Sequence, residues 1–134
     1  MLQLALHHVS LISTDIERSM RFYENILSLK RIPRPPFASA GVWCGLGALQ
    51  VHVILNREGT FGDRRCADSV DVHFALRTDD SDATVATLER HGYRDDLPEG
   101  DLKRLVVRRD GQAGFPQLFM LDPDQQVIEI NQAR

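Results

Sequence analysis

Two stretches of the chain alternate apolar and polar residues in the same way, 65 residues apart (73 − 8 = 65). The first runs from His8 into Asp15, and the second runs from His73 into Asp80. Alternation with a period of two predicts a strand, and an Asp/Thr cluster at its end is typical of a helix N-cap. Each stretch therefore predicts a strand that leads into a helix, which indicates an internal repeat.

Later segments extend this repeat and predict an α+β fold of two βαβββ modules. Ile16, Met20, Tyr23 and Leu27 have helical spacing and predict the first helix. Each half also ends in an alternating, strand-like segment. The predicted strands of module one cover about 4–13, 30–33, 40–46 and 49–55, with a helix at 15–29. Those of module two cover about 70–77, 93–96, 117–121 and 126–131, with a helix at 81–91.

The two halves differ in length. The offset from His52 to Glu129 (129 − 52 = 77) exceeds the first offset by 12, so we expect extra residues between Gly100 and Gly114. The stretch 97–116 fits either a strand or a loop. Residues 56–69 predict a connection too short to separate independent domains, so residues 1–134 form a single predicted domain. Module one covers about 1–56 and module two about 69–134.

Composition and charge exclude some function classes. A net charge of −3 argues against a nucleic-acid partner, because such proteins normally show a basic patch. The pairs Arg64-Arg65 and Arg108-Arg109 predict solvated surface or contact with an anionic substrate group. No apolar run approaches the roughly 18 residues of a membrane span, and no signal-peptide pattern opens the chain. We expect no membrane partner, a cytoplasmic location, and free thiols at Cys44 and Cys66.

Four polar residues lie on strands that otherwise bury apolar faces: His8, His52, His73 and Glu129. The alternative interpretation is that each histidine, taken singly, is an ordinary partly buried residue. Their matching positions on the opening and closing strands of the two halves favour metal ligands instead. Imidazoles with one carboxylate suit a divalent ion such as Zn, Ni, Co, Mn or Fe(II). His7 is a rival of His8, but its strand face is predicted to be core.

In these segments the chain resembles the vicinal oxygen chelate superfamily, which includes glyoxalase I, extradiol dioxygenases and bleomycin-binding proteins. The resemblance covers nearly the whole chain. It implies paired βαβββ modules that form a cup-shaped mixed sheet, with helices on the outer face and one divalent metal ion inside. It also implies metal ligands on the first and last strand of each module, the positions of the same four residues. The segments that carry it are Leu6–Leu11, Asp15–Tyr23, Gly41–Trp43, Gln50–Ile54, His73–Leu76 and Gln117–Ile130.

The resemblance is closest to the small glyoxalase I-like branch. It implies a metal-dependent lyase or isomerase, in which the metal polarises a carbonyl and Glu129 is a ligand and a possible base. Two residues depart from the family pattern: His52 stands where glyoxalase I usually has a glutamate, and Gln125 ends an Asp-Pro-Asp turn that usually ends in glycine. The alternatives are an Fe(II) extradiol-type dioxygenase, with His8, His73 and Glu129 on iron, and a non-catalytic binding or resistance protein.

Further residues are candidates for contact with a small-molecule substrate. The aromatic candidates have plain core as their alternative role, and the arginines have solvated surface. Phe37, in the loop Arg34-Pro35-Pro36-Phe37, is expected to cover the mouth of the cup. Family members often dimerise, so a homodimer is also expected. The candidate substrate residues are Trp43, Arg104, Arg109, Phe115, Gln117 and Phe119.

Overall fold

The computed structural model describes residues 1–59 and 66–134. The chain divides into two compact units, Met1–Thr60 and Phe61–Arg134. Each unit is described by itself below. The basic pair Arg64-Arg65 lies outside the described residues.

The first unit is a four-stranded mixed sheet with one helical segment. Strand β1 is parallel to β4, and the other neighbours are antiparallel, in the order β1-β4-β3-β2. Helix α1 contacts β4. The elements are β1 (His8–Ser13), α1 (Ile16–Met20) continuing as a π-helix (Arg21–Ile26), β2 (Lys30–Ile32), β3 (Gly41–Leu46) and β4 (Leu49–Leu55).

The second unit repeats this arrangement. Strand β5 is parallel to β8, and the sheet order is β5-β8-β7-β6. The predicted α+β fold and the βαβββ order of both halves are confirmed. The elements are β5 (His73–Arg77), α2 (Ser81–Arg90), β6 (Val106–Arg108), β7 (Gln117–Leu121) and β8 (Val127–Asn131).

The repeat extends to the hydrogen bonds that start each helix. The Asp15 carboxylate accepts from the Arg18 backbone N–H at 3.0 Å, and Asp80 accepts from Ala83 at 2.9 Å. These are N-caps, which satisfy backbone donors that have no partner inside the helix. A hydroxyl pair joins strand to helix in each unit, Ser13 with Ser19 and Thr78 with Thr84.

The first helix is not the single α-helix predicted for 15–29. It becomes a π-helix at Arg21, and the Leu27 N–H donates to the Phe22 carbonyl, five residues back. Ser28 ends it with a φ of 59°. Two consecutive aromatic residues in this segment, Phe22 and Tyr23, are 2% and 1% exposed. Apolar spacing alone does not distinguish a π-helical turn from an α-helical one, because such turns are short and occur within helices.

The predicted strand at 93–96 is wrong. Arg94 makes one isolated bridge with Arg104, whereas the strand that pairs with β7 is Val106–Arg108. Asp95 and Asp96 are exposed, and their charges could not be covered inside a sheet. The offset is 65 at the helix starts (81 − 16) and 76 at the next strands (106 − 30). The extra residues therefore begin before Gly100.

The opening strands start later than alternation predicted, at His8 and His73 rather than at 4 and 70. The register pairs His8 with Gln50 and His73 with Val127, near the start of each partner strand. In the first unit the Gln50 N–H also donates to the His7 carbonyl at 3.1 Å, so the pairing reaches His7. The apolar side chains that precede the two strands are exposed, and these are Leu2, Leu4, Leu6, Val70 and Val72.

In the first unit the core lies on the strand faces that the apolar pattern predicted. Leu11, Val51 and Val53 are buried on the face opposite the imidazoles. In the second unit Val85 and Leu88 of α2 are buried as predicted, but β7 and most of β8 are buried on both faces, which alternation did not predict. Within the described ranges, no helix has the length and apolar character needed to cross a bilayer.

Gln125 adopts a backbone conformation that normally suits glycine, with a φ of 66°. A non-glycine residue in the left-handed conformation destabilises the folded state by about 1–2 kcal/mol. Glycine avoids this strain, but its greater freedom in the unfolded chain lowers stability by about 0.4–1 kcal/mol relative to alanine. We expect Gln125→Gly to be more stable than Gln125→Ala by about 0.5–1 kcal/mol in urea unfolding. At the exposed helical residue Ala86, replacement by glycine should instead lower stability by about 1 kcal/mol. If glycine were less stable than alanine at both positions, the assignment of backbone strain to Gln125 would be contradicted.

Candidate functional site

The first unit brings His8 and His52 together on one face of its sheet. The parallel register sets Ser10 beside His52, and His8 shares the face of Ser10. The two imidazole rings stack with centroids 4.1 Å apart and an angle of 15°. His52 is buried, whereas His8 is exposed.

Trp43 extends this pair to a column of three rings. It lies directly opposite His52 across the antiparallel β3–β4 pair. Its ring stacks on His52 with centroids 4.0 Å apart and an angle of 4°. Of the predicted substrate residues, Trp43 is therefore in contact with a predicted metal ligand, and it is half-buried rather than plain core.

A hydrogen bond to Gln50 sets the tautomer of His52. The His52 Nε2 lies 2.8 Å from the Gln50 side-chain oxygen. Because that oxygen can only accept, Nε2 carries the proton and Nδ1 carries the lone pair. Burial lowers the pKa of His52, and the positive charges of neighbouring His8, His7 and Arg34 lower it further. The neutral imidazole that results is the form that binds metal ions.

The sequence predicted that His7 faces the core, and the structure shows that it does not. It is exposed, and its Nδ1 lies 2.9 Å from the Nδ1 of His8. The reason is that β1 begins at His8, so strand alternation does not extend back to His7. Of the two, His8 is the one that stacks on His52.

The second unit brings His73 and Glu129 together. Glu129 lies beside Ala75 in the parallel β5–β8 register, and His73 shares the face of Ala75. The His73 Nε2 is 3.1 Å from the Glu129 Oε2. Glu129 is buried, with 7% of its surface exposed.

Two amides hold the other oxygen of Glu129. Its Oε1 accepts hydrogen bonds from the Gln117 Nε2 at 2.9 Å and the Asn131 Nδ2 at 3.0 Å. Burial alone raises the pKa of Glu129. Hydrogen bonds from Gln117, Asn131 and His73 outweigh this, and the pKa lies below its usual value. The carboxylate is therefore ionised at neutral pH.

The tautomer of His73 matters for this contact. Its Nδ1 lies 2.7 Å from the backbone carbonyl of Asp71, which can only accept, so Nδ1 carries a proton. In a neutral ring Nε2 then presents a lone pair to the Glu129 carboxylate. Two acceptors at 3.1 Å repel each other unless a proton or another cation lies between them. The arrangement therefore favours a shared positive charge at this point.

Phe119 occupies the place in the second unit that Trp43 has in the first. It lies directly opposite Glu129, as Trp43 lies opposite His52. Its ring meets His73 edge-on, with centroids 5.7 Å apart and an angle of 88°. The guanidinium of Arg108 lies 5.4 Å from the Phe119 centroid. Gln117 and Phe119, both predicted from sequence, are thus in contact with the His73–Glu129 pair.

The other predicted substrate residues have different surroundings. Arg104 lines a cavity of about 250 Å³ together with Cys66, Glu99 and two apolar residues. Arg109 forms an ion pair with Asp82 in the first turn of α2. Phe115 is half-buried.

No group of three or more His, Cys, Asp or Glu side chains in the described part of the chain is arranged to hold a metal ion. Each unit supplies one pair of candidate ligands, His8 with His52 and His73 with Glu129. Both pairs join the first and the last strand of their unit.

Sequence reasoning missed the residues that orient these pairs. Gln50 and Asn131 each lie two positions from a candidate ligand, on the same strand face. That alternation was a usable signal. An amide beside a histidine or a carboxylate is a common second partner in metal sites.

Comparison with known proteins matches the chain to one family model. A model of the Glyoxalase/Bleomycin resistance protein/Dioxygenase superfamily matches residues 5–130. The protein Glyoxylase I 4 of Arabidopsis thaliana is 27% identical over 128 residues, which are 94% of this chain and 69% of the plant protein.

Solved structures share the fold over nearly the whole chain. A putative glyoxalase family protein from Bacillus anthracis has a TM-score of 0.76 and 16% identity, covering 99% of this chain and 98% of that one. Lactoylglutathione lyase from Agrobacterium tumefaciens has a TM-score of 0.68 and 16% identity, covering 96% and 93%. The fosfomycin resistance protein FosX from Listeria monocytogenes has a TM-score of 0.69 and 17% identity, covering 99% and 96%.

The lowered pKa of Glu129 predicts a pH-dependent contribution to stability. Because the folded-state pKa lies below the unfolded value, ionised Glu129 stabilises the fold above the unfolded pKa. That stabilisation is lost as pH falls through the folded pKa. In chelator-treated protein, the free energy of unfolding should fall more steeply between about pH 6 and pH 3 in the wild type than in Glu129→Gln. Replacement of the exposed Glu89 by Gln is the control, and a wild-type slope in Glu129→Gln would refute the prediction.

Proposed function

Because the chain belongs to the Glyoxalase/Bleomycin resistance protein/Dioxygenase superfamily, we propose that it is a metal-dependent lyase or isomerase of glyoxalase type. Its substrate is a small oxygen-bearing molecule. The proposed ligands of one divalent ion are His8 and His52 from the first unit and His73 and Glu129 from the second.

The observation that carries this proposal is the contact between His73 and Glu129. The His73 Nε2 and an ionised Glu129 oxygen face each other at 3.1 Å, while Nδ1 donates to the Asp71 carbonyl. This geometry favours a positive charge between the two atoms, and a divalent ion coordinated by both would supply it. Hydrogen bonding of a ligand histidine through its other nitrogen is the usual support for metal binding.

The chemistry of the donor set fits such an ion. Three imidazoles and one carboxylate suit Zn, Ni, Co, Mn or Fe(II). The Asp71 carbonyl holds a proton on His73 Nδ1 and leaves Nε2 as the proposed ligand atom. Gln50 holds His52 through Nε2, so Nδ1 is the proposed ligand atom of His52. Two donors from one unit are fewer than the three protein ligands of typical catalytic sites. The proposal therefore requires donors from both units.

The chain's own residues account for the proposed proton transfer. The bound metal supplies Lewis acidity toward a carbonyl oxygen, which makes the adjacent carbon more acidic. Glu129 is the proposed base: its Oε2 would leave the metal to accept the proton, because Gln117 and Asn131 already hold Oε1. These hydrogen bonds lower its basicity, so Glu129 depends on a strongly acidified substrate.

Metal content is the first test of this function. Protein purified without chelator should contain about one divalent ion per chain by elemental analysis. His52→Ala and Glu129→Gln should each weaken metal affinity at least about tenfold, because each removes or neutralises a donor. His91→Ala is the matched control, since His91 is exposed at the end of α2.

Catalytic activity is measured on the same preparations. Metal-loaded protein should exchange deuterium into the carbon beside a carbonyl in a screen of small 2-oxo compounds, and Glu129→Gln should not. Metal without exchange but with oxygen uptake on catechols would favour the dioxygenase alternative. If the protein contained no metal and showed no turnover but bound a ligand, the non-catalytic binding protein would be favoured.

We also propose that residues 1–134 form one domain and that the protein is a cytoplasmic homodimer. Leu2, Leu4 and Leu6 support the dimer, because they are 65–89% exposed and adjoin the edge strand β1. Apolar side chains beside an unpaired strand edge favour association. Light scattering should give twice the chain mass for the wild type, and Leu4→Asp should lower it. A wild-type monomer at micromolar concentration would refute the dimer.

A further inference from the structure

Arg34 is held in a fixed position beside the first-unit rings. It lies between β2 and β3, and its Nη2 donates to the Ser39 carbonyl at 2.8 Å and the Ser39 hydroxyl at 3.2 Å. Its Nε is buried close to Gly41, where a Cβ would lie 3.3 Å from it. The side chain therefore needs little reorganisation before it binds a partner.

The charge of Arg34 is not neutralised by any carboxylate in residues 1–59 or 66–134. By contrast, Arg31 is paired with Glu24 and Arg109 with Asp82. Arg34 contacts the carbonyl and hydroxyl of Ser39 and the ring of Phe37. Its buried Nε–H has no acceptor among those residues, which carries a free-energy cost. A fixed and uncompensated guanidinium is a candidate for binding an anion.

A continuous set of ring contacts links Arg34 to His52. Its guanidinium lies 4.9 Å from the Phe37 centroid, and Phe37 lies 5.8 Å from the Trp43 centroid. Trp43 in turn stacks on His52. Phe37 is 54% exposed, so this end of the column is open to a ligand. A positive charge and flat apolar surfaces thus lie together next to one proposed metal ligand.

We propose that Arg34 binds the carboxylate of an anionic ligand whose flat apolar part lies against Phe37 and Trp43. The carboxylate would bind Nη1, because Nε is buried and Nη2 already donates to Ser39. This hydrogen bond is charge-assisted, and the neighbouring rings favour a planar group. The site therefore selects small carboxylates over neutral molecules of the same shape. This inference rests on the proposed function, because it names the substrate class of that site.

Trp43 reports on this ligand directly, because it is the only tryptophan in the chain. The probes are benzoate and the isosteric neutral benzamide, titrated against full-length, chelator-treated protein while Trp43 fluorescence is measured. Benzoate should bind at least about tenfold more tightly than benzamide. Arg34→Gln should remove this preference, and Arg34→Lys should retain part of it. Arg31→Gln, whose charge is already paired with Glu24, should leave it unchanged.

Salt provides a measurement that does not depend on the folding of a variant. In the wild type, higher salt should weaken benzoate binding through screening and leave benzamide unaffected. Equal affinity of the two probes, or an unchanged preference in folded Arg34→Gln, would overturn the proposal. Because the titrations use metal-free protein, a negative metal analysis would refute the proposed function without deciding this inference.

Discussion

The parallel pairing of the first and last strands in each unit is the constraint on which both candidate pairs depend. Their registers join Ser10 to His52 and Ala75 to Glu129. His8 and His73 lie two residues earlier, on the same faces, so each reaches the last strand of its own unit. A shift of one residue in either register would turn one member of the pair to the opposite face of the sheet.

The two units surround these pairs with different chemistry. In the first, burial and nearby positive charges, including that of Arg34, lower the pKa of His52, and Trp43 stacks on its ring. In the second, amides hold an ionised Glu129 beside His73. A duplicated scaffold can therefore combine a neutral donor pair with a charged one, which an exact copy of either half would not provide.

Much of the fold could be predicted because local patterns determine it. Alternation located β4 and β7 at their observed bounds, and the Asp caps located both helix starts. The errors arose where a partner decides the outcome. The segment at 93–96 has strand-like neighbours but charged residues that no sheet covers, and the true third strand is chosen by its pairing with β7. Likewise, β1 and β5 begin only where a partner strand is available.

Periodicity and matching offsets are properties of the chain, so they were sufficient to predict the duplicated βαβββ order, the apolar strand faces of the first unit and the four candidate ligands. The proton positions on His52 and His73, the ionised state of Glu129 and the unpaired charge of Arg34 could be read only from the folded chain, because each depends on the distance to a specific hydrogen-bond partner or charge. Glu129 contacts Gln117, 12 residues away, and His73, 56 residues away. No local pattern encodes such distances.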